Sequence, residues 1–290
     1  MTTQPLQITR DRVGRSTAGL PSCPSIVLKI LKTLDDPDAN LHLLVNYIEH
    51  DAVIAGRVLS VANRADSSHA ESKVSDIFTA TALIGLRRVR EVVLVATLVD
   101  FIKDIAPDSM PASLMEYFWR DSVVTAVCCV EVARETALDV SLELALITGL
   151  MHNIGQLWLA RFEPARFESA WRASQDKHLT MNVAEVDMFG VDHATVGAWL
   201  SESWGLNESI TLAIGHHHRP GNFAREPLVA VVHVGQNLGN ALDLAHSPHS
   251  AVAWISPDCS DLLGMDWAGP AHDLFGRIEA RAQHALEMLQ

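Results

Sequence analysis

Basic residues are scarce in this chain of 290. Lysine and arginine number 22 against 35 aspartates and glutamates, a formal net charge of −13. Proteins that bind phosphate backbones need a basic footprint, so nucleic acid is not an expected partner. Cysteine is also sparse: Cys23, Cys128, Cys129 and Cys259 contain no Cys-x-x-Cys spacing. That excludes a zinc ribbon or a dithiol redox centre, and predicts buried thiols in a reducing compartment. Long apolar runs are missing. The longest strongly apolar run, Val92–Val99, is far too short to cross a bilayer. Met1–Arg15 is polar and has no hydrophobic region of the secretory kind. A cytoplasmic protein without a membrane partner is expected. Alternating apolar and polar stretches, internal repeats and low-complexity tracts are absent as well. So are a Gly-x-Ser-x-Gly elbow, a glycine-rich phosphate loop and a His-Glu-x-x-His pair, which removes the common hydrolase and nucleotide-binding signatures.

What is present is helical periodicity. Nearly half of the residues are apolar, enough for a sizeable core. Residues 1–19 carry no clear period and are expected to be a flexible arm. Leu20-Pro21-Ser22-Cys23-Pro24 is an extended entry, because a residue before proline avoids the helical region. Five helices are predicted between there and Lys103. They include one opened by Ser25, one by Asp51, and one opened by Ser75 and closed by Gly85. Ile105-Ala106-Pro107-Asp108-Ser109-Met110-Pro111 is the expected boundary. Further helices are predicted near 112–138, 141–151, 164–178, 180–189, 193–204, 207–218 and 225–244. An irregular stretch at 246–268 precedes a terminal amphipathic helix at 271–289. The predicted fold is all-α: an arm (1–19), a bundle of about five helices (20–106), a second helical bundle (112–245) and a C-terminal extension (246–290).

The stretch Gly149-Leu150-Met151-His152-Asn153-Ile154-Gly155 is the most informative. It follows an apolar helix and resembles the His-Asp run of HD-superfamily phosphohydrolases, with Asn in place of Asp. Other stretches extend the likeness. They are Leu34-Asp35-Asp36-Pro37-Asp38, Ile48-Glu49-His50-Asp51, Leu59-Ser60-Val61-Ala62-Asn63, Ala82–Arg90, Phe118–Ser122, Val191-Asp192-His193-Ala194 and His217-His218 before Pro220. In this order, over about residues 20–245, the chain resembles the HDOD domain, a bacterial helical module related to HD phosphohydrolases. The resemblance implies an all-helical fold with an HD-like second bundle. It also implies a place in bacterial signal transduction, beside signalling proteins that include cyclic di-GMP machinery.

Carrying the superfamily's ligand pattern over places its first His on Asp121 and its His-Asp pair on His152 and Asn153. Its later histidines fall on His193, His217 and His218, and its last Asp on Gln236. Active sites of this kind use carboxylates to hold divalent ions that acidify a bound water. Neutral amides at Asn153 and Gln236 are poorer ligands, so no catalytic residue, metal or cofactor is expected, and the seven positions are expected to line a vestigial pocket. The alternatives are a single divalent transition ion held by the four histidines, a phosphohydrolase working on the altered ligand set, and a nucleotide-sensing pseudoenzyme. Arg219-Pro220-Gly221 stands where an HD-GYP phosphodiesterase has its Gly-Tyr-Pro. Successive helical residues point about 100° apart, so His216, His217 and His218 cannot all face one site. Asp192 reads as an N-cap. Arg87, Arg88 and Arg90 open a helix, where positive charge opposes the dipole, and are expected to serve a partner or domain interface.

Overall fold

A computed structural model describes residues 7–21, 23–32, 41–65, 74–107, 110–246, 254–267 and 271–287; the side chains of 32, 41–43 and 271–272 lie outside that description. Among the described residues the regular structure is helical throughout, as expected. No helix among them is long and apolar enough to cross a membrane. All four cysteines are free and buried. Burial pushes the Cys23 thiol up to about 11.

The chain divides into two compact units, Ser22–Lys103 and a second made of Met1–Pro21 with Asp104–Gln290. The first helix, α1 (Arg10–Thr17), belongs to the second unit. Ser22–Lys103 holds α2 (Ser25–Lys32), α3 (Leu41–Glu49), α4 (Ala52–Ala65), α5 (Ile77–Ile84) and most of α6 (Leu86–Ile105). Its core is built from Ile26, Val27, Leu44, Ile48, Val58, Leu94 and Leu98. Asp51 caps α4, its carboxylate accepting from the N–H of Val53 and Ile54, both at 3.0 Å. The cap of α5 is Asp76, whose carboxylate accepts from Thr79 N at 2.7 Å, rather than the neighbouring Ser75. A charged acceptor is the stronger partner for a free helix N–H. Gly85 closes α5 at φ 82°.

The arginines at the start of α6 divide. Arg88 pairs with Glu91 at 2.8 Å and Arg87 approaches the same carboxylate at 4.0 Å. Spacings of three and four residues put Glu91 beneath both, which offsets the unfavourable charge at this helix start. Arg90 is buried, so an accessible interface can be built on Arg87 and Arg88 but not on Arg90.

The second unit is organised around α7 (Ala112–Glu135). Against α7 pack α8 (Leu142–Met151), α14 (Pro227–Ala241) and the last helix, α16 (Ala271–Glu287). Between α8 and α14 run α9 (Ile154–Phe162), α10 (Pro164–Lys177), α11 (Met181–Phe189), α12 (His193–Ser203) and α13 (Glu208–His216); α15 (Pro257–Leu263) follows α14. Helix α12 lies against α9 and α13, and α13 against α14.

Two expectations are corrected here. The arm at 1–19 contains α1, which packs on α12. Thr9 caps it, Val13 is fully buried, Ile8 N donates to Phe189 O at 3.0 Å, and Trp158 Nε1 donates to Ser16 Oγ at 2.9 Å. One apolar anchor in a polar helix leaves no period to read. The extension 246–290 is likewise part of this unit: α15 packs on α14 and α16 on α7. Glu131 of α7, 1% exposed, receives Arg134 at 3.1 Å and Arg277 at 3.3 Å, and also pairs with Arg281.

Candidate functional site

Two glycines aim the His-Asn pair. A Cβ on Gly149 would stand 2.5 Å from the Cα of Ala126, so glycine alone lets α8 press onto α7. That contact brings the end of α8 beside Asp121, about one and a half turns earlier on α7. A Cβ on Gly155 would stand 2.8 Å from Gly197 N and 2.9 Å from the His193 carbonyl carbon, and closer still to its oxygen. Glycine therefore also lets the start of α9 meet the start of α12, where His193 sits. Between the two glycines the helix breaks, with Asn153 at φ −95° and ψ 10°. The segment 154–162, without a predicted element, is the separate helix α9.

Six of the seven expected positions gather. Asn153 Nδ2 donates to Asp121 Oδ2 at 2.6 Å, and His152 Nε2 lies 3.5 Å from the same oxygen. The His152 and His217 rings meet edge to face at 5.2 Å, and the His193 and His217 ring centres are 5.5 Å apart. His218 Nε2 is 2.9 Å from His193 Nε2. His217 and His218, just past His216 at the end of α13, both reach the pocket. His216 stacks on Phe223 at 4.2 Å instead. Asp192 is the cap of α12, accepting from Thr195 N at 2.9 Å. Gln236 is buried on α14 but shares no hydrogen bond with the other six.

The imidazoles are fixed from behind. His152 Nδ1 lies 2.7 Å from Gly149 O and His217 Nδ1 lies 2.6 Å from Ile214 O; a carbonyl only accepts, so each Nδ1 carries the proton. Both Nε2 atoms are buried with no hydrogen-bond partner, and on His217, held neutral by its burial, that nitrogen is a bare lone pair. His193 is held by Glu185, whose Oε2 is 2.7 Å from the His193 backbone N and 2.6 Å from Nδ1. Glu185 has no exposure, and its Oε1 has no partner. His233 supports the turn. Its Nε2 accepts from Ser256 N at 2.9 Å, so its Nδ1 donates to His217 O at 2.7 Å.

Burial disfavours the His193 imidazolium, but the Glu185 carboxylate outweighs it and holds the His193 pKa above the ordinary value. Burial raises that of Glu185 against the pull of His193. The pair thus retains one proton. Burial, then the neighbouring imidazoles, drive His217 and His218 well below the ordinary range, so both stay neutral. The short approach of His218 to His193 requires a further proton between the two Nε2 atoms, separate from the one that His193 Nδ1 shares with Glu185.

Glu185 and His233 were not among the expected site residues. Glu185 could have been found, because it lies on the apolar stripe Met181, Ala184, Phe189, where a carboxylate needs a buried partner. His233 gives no comparable signal.

A model of the HDOD domain matches residues 20–220. The chain belongs to the HDOD family. Similar solved structures include an HDOD domain protein of unknown function from Geobacter sulfurreducens. It is 24% identical, with TM-score 0.76, and 95% of this chain and 98% of that one are covered. Another, from Shewanella amazonensis SB2B and named for the phosphohydrolases, is 23% identical with TM-score 0.69 over 96% and 98% of the two chains. At these identities the likeness is one of fold. An uncharacterised protein from Treponema pallidum (strain Nichols) is 24% identical over 215 residues, 73% of this chain. This chain spans 40% of that relative's length. The HDOD assignment carries with it the relationship to the HD superfamily, whose sites hold divalent ions. A site of paired ions bridged by carboxylates does not fit here. Positions 153 and 236 carry amides, and the remaining carboxylate, Asp121, is engaged by Asn153. The donor set left is imidazole nitrogen.

Proposed function

We propose that this HDOD chain is a non-catalytic signal-transduction protein of the cytoplasm, acting through helical surfaces on other proteins, among them components of cyclic di-GMP signalling. One observation carries the reading. At the position where a phosphohydrolase of this superfamily presents a metal-binding carboxylate, Asn153 presents an amide whose N–H is bonded to Asp121 at 2.6 Å. The pocket behind it is closed, with His152, Asn153, His193 and His217 all buried. A structure from Marinobacter aquaeolei VT8 that shares the fold, at 23% identity and TM-score 0.72, is named a signal transduction protein. With 35 acidic against 22 basic side chains, the surface suits protein partners rather than nucleic acid.

The test is turnover. The full chain is incubated with manganese, iron or zinc and with cyclic di-GMP, nucleotides or a generic phosphodiester. The expected result is no hydrolysis above the metal-only background. Hydrolysis that disappears in His152→Ala would overturn the reading.

A further inference from the structure

We propose that the start of α6 binds a phosphate monoester group, gripped by the guanidinium of Arg90 with Arg87, Arg88 and the first N–H groups of the helix around it. The site lies in the unit Ser22–Lys103, whereas the histidine pocket belongs to the other unit. It does not rest on the proposed function.

Arg90 carries the argument. It is 6% exposed, and its Nε and Nη2 are buried with no hydrogen-bond partner among the described residues. Those two nitrogens form one edge of the guanidinium, where two N–H groups point side by side and can meet two oxygens of a single anion. A guanidinium stays charged when buried, so an empty fork leaves a desolvated charge unpaired, which is strongly destabilising. The carboxylate next in sequence, Glu91, is engaged by Arg88 at 2.8 Å. A long side chain in a helix lies back over the preceding turn, which aims Arg90 at the residues that open α6.

The start of α6 is itself uncapped and open. Gly85 precedes it at φ 82° and has no side chain to cap it. Val89 N donates to Gly85 O at 3.2 Å, and the N–H groups of Leu86, Arg87 and Arg88 have no acceptor within the helix. A Cβ added at Gly85 would meet nothing within 4 Å, so there is room in front of these donors. The Arg90 fork is shielded from water, and an anion meets it as the side chain turns toward that opening. The class of anion follows from charge and shape. Three arginines against Glu91 leave two positive charges over residues 85–91. A carboxylate brings one negative charge and fills the fork alone. A phosphate monoester brings about 1.5–2 at neutral pH, with three acceptor oxygens that use the fork and the helix N–H groups together.

The test uses the full chain in chloride buffer of fixed ionic strength, titrated with sodium phosphate and followed by calorimetry and melting temperature. Saturable binding and a rise in melting temperature are expected, which acetate at equal concentration does not produce. Arg90→Met keeps an unbranched side chain without the fork and should weaken phosphate about 10-fold or more. The general stabilisation by phosphate as an excluded ion acts on both chains alike. Arg225→Ala, at an exposed arginine elsewhere, should bind as the native chain does. Should Arg90→Met fail to fold, 15N–1H spectra of the arginine Nε–H groups in the native protein decide: one signal must move with phosphate and stay in place with acetate. N-acetyl phosphoserine amide separates the two sources of the group. Binding tighter than that of inorganic phosphate places it on a protein partner, and equal or weaker binding makes it a free anion; the site stands in either case. No saturable binding, no moving Nε–H signal, acetate binding as tightly as phosphate, or Arg90→Met binding as the native chain does would each overturn the proposal.

Discussion

Gly155→Ala isolates the contact on which the site's geometry depends. The added methyl would meet the backbone of α12 at Gly197 N, 2.8 Å away, and at the His193 carbonyl carbon, 2.9 Å away, with the carbonyl oxygen nearer still. Ordinary carbon contacts begin near about 3.5 Å. Side-chain tips can swing aside, but these atoms are main chain at a helix start, so α9 and α12 must separate by on the order of 1 Å. Overpacking of this kind costs about 1–3 kcal/mol, and obstruction by backbone argues for the upper end. For a chain of this size about 3 kcal/mol corresponds to a fall in melting temperature of roughly 6–12 °C. The control is Gly276→Ala. Gly276 lies within α16 with nothing inside 4 Å of its added Cβ. There the relief of glycine's backbone entropy should raise stability by about 0.5–1 kcal/mol. Thermal and urea melts of the two variants beside the native protein give both signs. If Gly155→Ala melts within a degree or so of native, the close approach of α9 to α12 is wrong, and with it the placement of His193 beside the His-Asn pair.

Asn153→Asp should destabilise by about 1–3 kcal/mol at pH 7, because it sets a second carboxylate at hydrogen-bond distance from Asp121; pairing it with Asp121→Asn should recover most of the loss in a melt. His217, His218 and His233 have folded pKa values depressed below the unfolded value, so their stabilisation is present above about pH 6.5 and is lost as the pH falls toward the folded values. His193, raised by Glu185, contributes in the opposite sense, with stability present below the unfolded pKa and lost as the pH rises through the folded one. With three groups depressed against one raised, the net should be a loss of stability as the pH falls from about 7 to about 5.5, read by denaturant melts, and a flat profile would contradict the burial of the histidines. Replacing Arg277 and Arg281 together by Ala leaves Glu131 with Arg134 and should cost about 1–3 kcal/mol, whereas an unchanged melt would mean that α16 is not docked on α7. Arg88→Glu, at an exposed ion pair, should move stability by no more than about 1 kcal/mol while weakening a protein partner captured by the native chain; unchanged capture would remove the interface role of that arginine.

The helical class and most helix positions were legible because they depend on apolar period and caps, which are local. Thr9-Arg10 to Thr17 was not, since α1 is polar apart from Val13 and gains its order from α12 and from Trp158. Nor was α9: the His-Asn break and Gly155 read as the end of an element, yet a new helix begins there because Gly155 can lie against α12. Within the site, the motif positions on Asp121, His152, Asn153, His193, His217 and His218 could be taken from the superfamily pattern that the chain resembles. What spacing cannot carry is the hydrogen-bond direction behind each ring. The amide at Asn153 read as a lost ligand; in the fold it is also the partner of a carboxylate that has appeared at Asp121. The histidines read as polar remnants, yet His152 and His217 spend their Nδ1 protons on Gly149 and Ile214 and leave their inner nitrogens without a hydrogen-bond partner.

That last feature underlies the closed, non-hydrolytic reading of the pocket. Imidazole 15N–1H correlation spectra of histidine-labelled, chelator-stripped protein at pH 7.5 measure it directly, with His152→Gln and His217→Gln used to assign the two resonances. The account predicts that both rings carry a proton on Nδ1 and that the His217 ring is neutral, with its Nε2 unprotonated. A proton on Nε2 of His217 would turn that nitrogen into a donor, and would contradict the inward-facing lone pair from which the site was argued.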